Sequence, residues 1–511
     1  MAETTAPQGP DLSQGVLLAD VPETGVLAGR VGDQSVLVSR VDGKLHAVSG
    51  SCTHYGGPLA EGLAVGRTVR CPWHHACFDL ATGEALAAPA FSRLDRWKVE
   101  TSGDRLFVRE KLTDTPRKPS LPWRWNRPDK IVIVGGGAAG FAAAERLRRL
   151  GYEGRLTMFS ADADAPYDRP NLSKDYLAGT APEEWIPLRD DAFYRDNAVD
   201  LRLGAEVVEL SPGKRRLKDA KGEHHAYDAL LLATGAEPVR LPLPGFDAPN
   251  VFTLRSLADS RAIIAAAAPG ARVAVIGASF IGLEVAASLR ARGLEVHVVA
   301  PDEVPMQKVL GREVGEFVRT LHEAEGVVFH LGRGVEAFAG GILKLTGGEQ
   351  LAADFVVLGV GVRPRVKLAE QAGLKVENGV LVDEAFRTSA AGVWAAGDIA
   401  SYPEPVSGGR ARVEHWVAAE RQGQVAAASM LGLDAPAAGP PFFWSHHYGL
   451  EIRYVGYAPG WDAAEVEGSL AAHDALIRYR KDGRVLAVAT LGRDRASLAQ
   501  AAAWEGCAVP A

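Results

Sequence analysis

Cysteine is scarce in this chain, with 4 residues among 511. So few thiols cannot build a disulfide framework across a protein of this size, and they are typical of a reducing compartment. What the cysteines do must therefore be judged from their positions and not from their number.

Long apolar runs and dense basic stretches are absent as well. No segment approaches the roughly 20 apolar residues that cross a bilayer, and residues 1–15 are polar, unlike a secretory leader. The net charge is −7, and no stretch is rich in Lys and Arg. We therefore expect a cytoplasmic protein without a membrane or nucleic-acid partner.

Length and local patterns indicate several domains. Gln34–Val41 and residues 44–48 are strand-like and flank Asp42-Gly43, a strong hairpin signal. Similar patterns continue to about Arg109, after which closely spaced prolines suit a semi-rigid linker. We place an all-β domain at residues 1–112 and the linker at 113–128.

An α/β pattern follows and occurs twice. Residues 131–134 form a predicted buried strand, followed by a Gly-rich turn and a helix to about Leu150. Arg272–Ile276, a second turn, a helix to about Arg292 and a strand at 295–299 repeat that order. Two nucleotide-binding domains are therefore predicted. Their boundaries are 129–254 and 378–436 for the first and 255–377 for the second, with a small α/β C-terminal domain at 437–511.

Two cysteines and two histidines form a metal-binding pattern. Cys52-Thr-His54 is followed after 16 residues by Cys71-Pro-Trp-His74, so each segment offers one thiolate and one imidazole. A Rieske [2Fe–2S] cluster needs two Cys on one iron and two His on the other. The alternative is a Cys2His2 zinc site, whose usual order keeps the two residue types separate. The order here favours the cluster, with His75 at the surface or supporting the ligands.

The two segments resemble the Rieske family, over about the first 110 residues. Members of the cytochrome bc type carry an extra Cys in each segment, whereas Gly56 and Gly57 leave Cys77 here without a partner. The resemblance therefore implies no disulfide between the segments. Ala76 and Phe78 stand where that family has hydrogen-bond donors to sulfur. Their absence implies a reduction potential of the cluster toward the low end of about −150 to +300 mV.

The first Gly-rich turn predicts a bound dinucleotide. Gly135-Gly-Gly137-Ala-Ala-Gly140 follows a strand and opens a helix. In that context glycines let the backbone approach a pyrophosphate at the helix N-terminus. The motif alone does not distinguish FAD from NAD.

Three further motifs favour FAD by resemblance. Ala233-Thr234-Gly235, Trp394-Ala-Ala-Gly397-Asp398 and residues 166–174 resemble the two-dinucleotide-domain flavoprotein reductases. The apoptosis-inducing-factor-like branch is the most similar, with the ferredoxin reductases beside it. The likeness extends from about residue 129 to the C-terminus and implies FAD as cofactor and NADH or NADPH as substrate.

The resemblance also implies roles for single residues. Asp398 is expected to hold the ribityl chain of FAD, and Arg169 and Lys174 to lie along the flavin. Glu284 is expected to pair with Lys174 near the nicotinamide. The usual acid for the adenosine ribose is missing, and Asp162 is the nearest candidate.

The second Gly-rich turn predicts the nicotinamide dinucleotide site. It contains Gly277, Ser279 and Gly282, with serine at the position of the middle glycine. Ala300 stands where an acid selects NAD, and no Arg is placed for a 2′-phosphate. These features favour NADH over NADPH.

Two aromatic motifs resemble the family's segments around the isoalloxazine ring. Val413-Glu-His415-Trp416 is expected to face the ring, and Phe443-Trp444-Ser-His-His-Tyr448 its entry. His446 and His447 replace an Asp-Gln pair common among ferredoxin reductases, which leaves the acceptor open. Trp444 either faces the entry or packs as a core aromatic residue.

Together these features predict an NAD(P)H-dependent electron-transfer oxidoreductase of the ferredoxin reductase type, with Lys174 and Glu284 as catalytic residues. We expect hydride transfer to FAD, then single electrons through the Rieske cluster to a ferredoxin, a cytochrome or an oxygenase component. The flavin domain has no Cys-x-x-Cys, which excludes disulfide reduction. The alternatives are an NADH-responsive signalling protein of the apoptosis-inducing-factor type with slow turnover, and a degenerate docking module. A homodimer is a further hypothesis.

Overall fold

The computed structural model describes residues 9–113, 121, 127–434 and 437–507. The predicted linker at 113–128 lies largely outside these ranges and stays a prediction. An all-β domain is followed by two α/β units and a C-terminal sheet with one long helix, so the predicted fold class is confirmed. Within the described residues, no helix is both long and apolar enough to span a bilayer.

The N-terminal domain consists of two antiparallel sheets. Its strands are β1 Val16–Leu17, β2 Leu27–Val31, β3 Gln34–Val41, β4 Lys44–Ser49, β5 Leu63–Val65, β6 Thr68–Arg70, β7 Cys77–Asp79, β8 Ala85–Ala87, β9 Arg96–Ser102 and β10 Arg105–Lys111. The sheet orders are β1-β10-β9-β4-β3-β2 and β5-β6-β7-β8. The predicted hairpin joins β3 to β4, and Asp42 and Gly43 both have positive φ, as a tight hairpin turn requires.

The first nucleotide-binding unit begins with a parallel sheet. Its elements are β11 Lys130–Val134, α1 Ala138–Arg149, β12 Arg155–Phe159, α2 Asp175–Ala178, α3 Asp191–Asp196, β13 Val199–Arg202, β14 Val207–Ser211, β15 Arg216–Asp219, β16 His224–Ala226, β17 Ala229–Leu232 and β18 Ala236–Pro238. β11 lies between β12 and β17, and its residues 131–134 are buried. An apolar run without alternation is the expected pattern for such a central strand.

The second unit repeats this architecture. Its elements are β19 Val251–Thr253, α4 Leu257–Ala266, β20 Arg272–Ile276, α5 Phe280–Ala291, β21 Glu295–Ala300, α6 Gln307–Ala324, β22 Val328–Leu331, β23 Val335–Ala339, β24 Ile342–Leu345, β25 Gln350–Ala352, β26 Phe355–Leu358 and β27 Val362–Pro364. The sheet order is β19-β26-β20-β21-β22. β18 of the first unit and β27 of the second pair antiparallel with each other.

The chain then returns to the first unit. The returning elements are α7 Lys367–Gln371, β28 Val380–Leu381, β29 Val393–Ala395, β30 Ala400–Pro403, β31 Arg410–Ala411 and α8 Trp416–Met430. β29 completes the first sheet beside β17. α8 packs closely on α1, because a Cβ atom at Gly423 would lie 2.2 Å from the carbonyl oxygen of Ala139.

A five-stranded antiparallel sheet ends the chain. Its elements are β32 Phe442–His447, β33 Leu450–Gly456, β34 Ala463–Ser469, β35 Asp474–Lys481, β36 Arg484–Leu491 and α9 Asp494–Trp504. Leu498 and Ala502 of α9 form a small apolar cluster with Leu63 and Val65 of β5. The N-terminal domain therefore packs against the rest of the chain, residues 127–507, which we call the reductase part.

Candidate functional site

The two predicted metal-binding segments share one backbone design. In each, the cysteine amide donates to the carbonyl five residues later, and the amide four residues later donates back to the cysteine carbonyl. These bonds measure 2.9 and 2.9 Å at Cys52 and 2.8 and 3.2 Å at Cys71. The residue four positions after each cysteine, Gly56 or His75, has a positive φ of 78° or 60°. The two tight turns are therefore structurally equivalent.

The four predicted iron ligands form two like pairs. Nδ1 of His54 lies 3.2 Å from Nδ1 of His74, and the thiols of Cys52 and Cys71 share a hydrogen bond. This pairing fits a cluster with two His on one iron and two Cys on the other. A single zinc ion needs all four donors around one point, yet these four residues do not form such a group.

Burial prepares these side chains for metal binding. It lowers the pKa of His54 to about 3 and that of His74 well below its ordinary value. Both rings are therefore neutral, the form in which imidazole binds metals. The hydrogen bond between the thiols raises the pKa of Cys52 and lowers that of Cys71.

His75 does not lie at the surface, so that part of the expectation was wrong. Its side chain is buried, stacks on Phe442 with 4.0 Å between ring centroids, and places Nε2 3.1 Å from Ser497 Oγ. Its carbonyl accepts from Arg421 at 2.9 Å. All three partners belong to the reductase part, and a contact between domains leaves no local signal in the sequence.

Charged side chains hold the second metal-binding segment in place. Arg453 donates to the carbonyl of Trp73 at 3.0 Å and pairs with Asp494 at 2.7 Å. Arg70, just before Cys71, pairs with Glu505 at 2.6 Å. These contacts fix the cluster site relative to β33 and α9.

Trp444 connects the cluster site to the interior of the reductase part. The imidazole of His74 lies against the indole of Trp444, with 4.2 Å between ring centroids. The indole also lines a large cavity, where Lys174 Nζ lies 5.5 Å from its centroid. Trp444 also packs in a buried apolar cluster with Phe442 and Val455, so it is a core aromatic residue that faces the cavity at the same time.

The large cavity spans both Gly-rich turns. Its volume of about 1670 Å³ exceeds the roughly 300–1,000 Å³ of a typical single-ligand site, so it suits two dinucleotides. The predicted cofactor residues that line it are Gly135, Gly137, Arg169, Lys174, Thr234, Gly235, Ser279, Glu284, Gly397, Asp398, His415 and Trp416.

Three predicted cofactor residues, Gly140, Gly277 and Gly282, do not line the cavity. A Cβ atom at Gly140 would lie 1.9 Å from the carbonyl oxygen of Gly135, and one at Gly282 would lie 2.1 Å from that of Gly277. Gly277 has a φ of 111°. These glycines are needed because the helix starts close to the turn, so they shape the site without facing a ligand.

The structure brings Lys174 and Glu284 together at the cavity wall. Lys174 Nζ lies 2.9 Å from Glu284 Oε2. Glu284 also accepts from Ser173 Oγ at 2.6 Å and from Ser445 Oγ at 2.7 Å. Three donors compensate for the burial of this carboxylate. Both serines lie inside motifs described above, at 166–174 and 443–448, but sequence reasoning gave them no role, since a hydroxyl group within a motif does not reveal its partner.

Asp398 has a charged partner that the motifs did not indicate. Its carboxylate lies 2.5 Å from Arg255 Nη2, and both residues line the cavity. Asp162 lines the cavity too, but its carboxylate accepts from the Tyr167 hydroxyl at 2.7 Å and from the Asp164 amide at 3.2 Å. The carboxylate of Asp162, the nearest candidate for the adenosine ribose, is therefore already engaged by two donors of its own segment.

Comparison with known proteins identifies the family. Residues 129–423 match the family described as pyridine nucleotide-disulphide oxidoreductase, residues 16–98 match the Rieske [2Fe–2S] domain, and residues 442–503 match the reductase C-terminal domain.

Individual relatives agree with these matches. Apoptosis-inducing factor 3 from Homo sapiens is 33% identical over 91% of this chain and 79% of its own length. The ferredoxin–NAD(+) reductase component of the anthranilate 1,2-dioxygenase system from Burkholderia cepacia is 38% identical over 72% of this chain and 92% of its own. The covalent putidaredoxin reductase–putidaredoxin complex matches 71% of this chain and 89% of its own, with 33% identity and a TM-score of 0.69. The chain therefore belongs to the pyridine nucleotide-disulphide oxidoreductase family and carries a Rieske [2Fe–2S] domain.

Proposed function

We propose that this protein oxidises NADH and passes the electrons singly through its own Rieske cluster to an acceptor protein. The observation that carries the proposal is the contact between His74 and Trp444, because Trp444 also lines the dinucleotide cavity. Electron transfer between the two sites then needs no second chain. The relatives described as ferredoxin–NAD(+) reductase components support the reductase half.

The residues supply position and charge, while the cofactors supply the redox chemistry. FAD, when bound, converts the electron pair of a hydride into single electrons. Lys174 and Glu284 would stand beside the reacting atoms, and Gly135 and Gly137 would admit the pyrophosphate. Cys52, His54, Cys71 and His74 would hold the cluster.

We assign the six segments predicted above to separate tasks on this basis. Residues 1–112 would carry the cluster, 113–128 would be the linker, and 129–254 with 378–436 would bind FAD. Residues 255–377 would bind the nicotinamide dinucleotide, and 437–511 would support Trp444.

The acceptor would approach the exposed side of the cluster. His74 is buried against Trp444, whereas His54 is half-buried and its stacked neighbour Tyr55 is 41% exposed. Electrons would therefore enter at His74 and leave at His54. A ferredoxin, a cytochrome or an oxygenase component would be a suitable one-electron acceptor.

Anaerobic titration with NADH, followed by visible absorbance and low-temperature EPR, tests the proposal. We expect bleaching of the flavin band together with the EPR signal of a reduced Rieske cluster. Bleaching with an intact but silent cluster would contradict the relay. That result would favour the hypothesis of an NADH-responsive signalling protein, for which slow turnover and a long-lived reduced complex are expected.

A further inference from the structure

A buried series of polar side chains leads from the cavity wall through β32 of the C-terminal domain to α6 of the second unit. We call Glu284, Ser445, His447 and His322 the polar row; Glu284 is 2% exposed and the other three are 0% exposed. Ser445 Oγ lies 2.7 Å from Glu284 Oε1 and 3.0 Å from His447 Nε2. His447 Nδ1 lies 3.1 Å from His322 Nε2. Hydrogen bonds therefore connect all four residues.

Donor capacity determines where the protons of the polar row lie. Glu284, paired with Lys174, is a carboxylate that only accepts. Ser445 donates its one proton to Glu284, so its oxygen accepts from His447 Nε2. Burial lowers the pKa of His447 to about 3 and that of His322 to about 2, so each ring is neutral with one N–H. His447 Nδ1 then accepts from His322, and every donor points toward Glu284.

The outer end of the polar row has an unused acceptor. Among the described residues, neither Nδ1 of His322 nor the hydroxyl of Tyr448 has a hydrogen-bond partner. The two rings are 5.0 Å apart, and Tyr448 is half-buried, but both of these atoms are themselves buried. A proton that reaches His322 from this side can shift each proton of the row by one bond and so protonate Glu284.

Few charged groups act on this path. His446 and Lys174 act electrostatically on His447, and Glu325 and Arg290 act on Tyr448. Glu325 is exposed. An exposed carboxylate therefore acts electrostatically on the outer end of the row.

In the proposed reaction, protonation of Glu284 would compensate a change in the charge of the cavity. NADH that gives up a hydride leaves as NAD+, so two electrons and one proton stay and the charge of the cavity falls by one. A site of low dielectric constant opposes such a change. One proton on Glu284 cancels it and leaves the Lys174 cation facing the added negative charge.

We propose that Ser445, His447 and His322 conduct one proton to Glu284 when hydride arrives and one proton back when the electrons leave. The proposal rests on the proposed function. After the inward transfer every donor points outward, so the row is set for the return and no ring has to flip. Glu284 then returns its proton, the hydride's proton leaves too, and the cycle balances at one proton released per NADH.

Proton uptake can be measured separately from hydride transfer. Protein loaded with FAD is mixed anaerobically with one equivalent of NADH in weak buffer containing a pH indicator. Flavin absorbance reports the hydride, and the indicator reports the proton. We expect one proton taken up per hydride, with an infrared band of a protonated carboxyl group. Glu284→Gln should abolish both the uptake and the band.

His447→Gln separates conduction from structure. The glutamine amide can still donate to Ser445, but it cannot pass a proton on. We expect proton uptake to slow by at least about 10-fold, with bleaching at the wild-type rate. His322→Asn should slow the uptake similarly, and His224→Gln, at an exposed histidine of β16 outside the row, should match the wild type.

The outcomes separate the two hypotheses. Uptake at the wild-type rate in both His447→Gln and His322→Asn would overturn the relay. Bleaching of the wild-type protein without any proton uptake would overturn the role of Glu284. Absence of bleaching by NADH would instead refute the proposed function itself.

Discussion

The imidazole of His74 and the indole of Trp444 lie in contact, with ring centroids 4.2 Å apart and an interplanar angle of 45°. His74 belongs to the N-terminal domain, and Trp444 belongs to β32 of the C-terminal domain. One aromatic side chain thus joins a predicted ligand of the cluster to the cavity in which NADH would react. Replacing it should affect one step and spare the other.

Trp444→Leu should slow reduction of the cluster by at least about 10-fold, because it removes the side chain that joins His74 to the cavity. Flavin bleaching by NADH should change little, because the cofactors supply that chemistry and the protein supplies their placement. Stopped-flow absorbance resolves the two phases. Trp444→Phe, which keeps an aromatic ring, should slow the reduction of the cluster less than Trp444→Leu does. Trp185→Leu, at a residue that is 51% exposed, should match the wild type. Equal slowing of both phases in Trp444→Leu would show that the residue only supports the fold.

Removing one partner of the pair formed by Lys174 and Glu284 should destabilise the protein. Glu284→Leu leaves the ammonium group without its partner in a site where it is 13% exposed. We expect a loss of about 3 kcal/mol in the free energy of unfolding, measured with urea. The double variant with Lys174→Met should lose less than Glu284→Leu alone. Additive losses would show that the pair is not coupled.

The metal ligands can be tested by metal content. Cys52→Ser and His54→Ala should lower iron from about two atoms per chain to near zero, with loss of the Rieske EPR signal. Cys77→Ser should keep both irons, since its thiol is not one of the predicted ligands. His75→Asn should keep them too, because asparagine tolerates the positive φ at this position. Zinc in place of iron in the wild-type protein would contradict the Rieske assignment.

Asp168 makes stability depend on pH. Burial raises the pKa of this carboxyl from 3.8 to about 6. The folded state therefore holds a proton more tightly than the unfolded state, and stability falls as pH rises from about 4 through 6. Asp168→Asn should equal the wild type below about pH 4 and exceed it by roughly 2–3 kcal/mol above pH 6. Parallel stability curves for the two proteins would refute this.

Much of the architecture was predictable because it rests on local patterns. The hairpin at Asp42-Gly43 and the buried strand of residues 131–134 follow from turn chemistry and from apolar runs. Close approach of a helix to a turn requires glycine, which makes Gly140 and Gly282 visible in the sequence. Such short-range constraints act within a few residues.

Contacts between distant segments were not predictable. Arg255 reaches Asp398 across 143 positions, and Ser445 reaches Glu284 across 161. Arg255 lies outside every motif described above, and Ser445 lies inside one without a predicted role of its own. The polar row also contains His322, an unremarkable residue of α6 until the fold places it beside His447.

The sequence by itself determined the chemistry available to this protein: two Cys and two His in two short segments, and two Gly-rich turns between a strand and a helix. Residue type and spacing suffice for that, because each motif is a local structure. Only the tertiary structure decided how the sites are arranged, with His74 against Trp444 and His75 buried against Phe442. Packing between domains depends on many weak contacts between distant segments, and local sequence patterns do not predict such contacts.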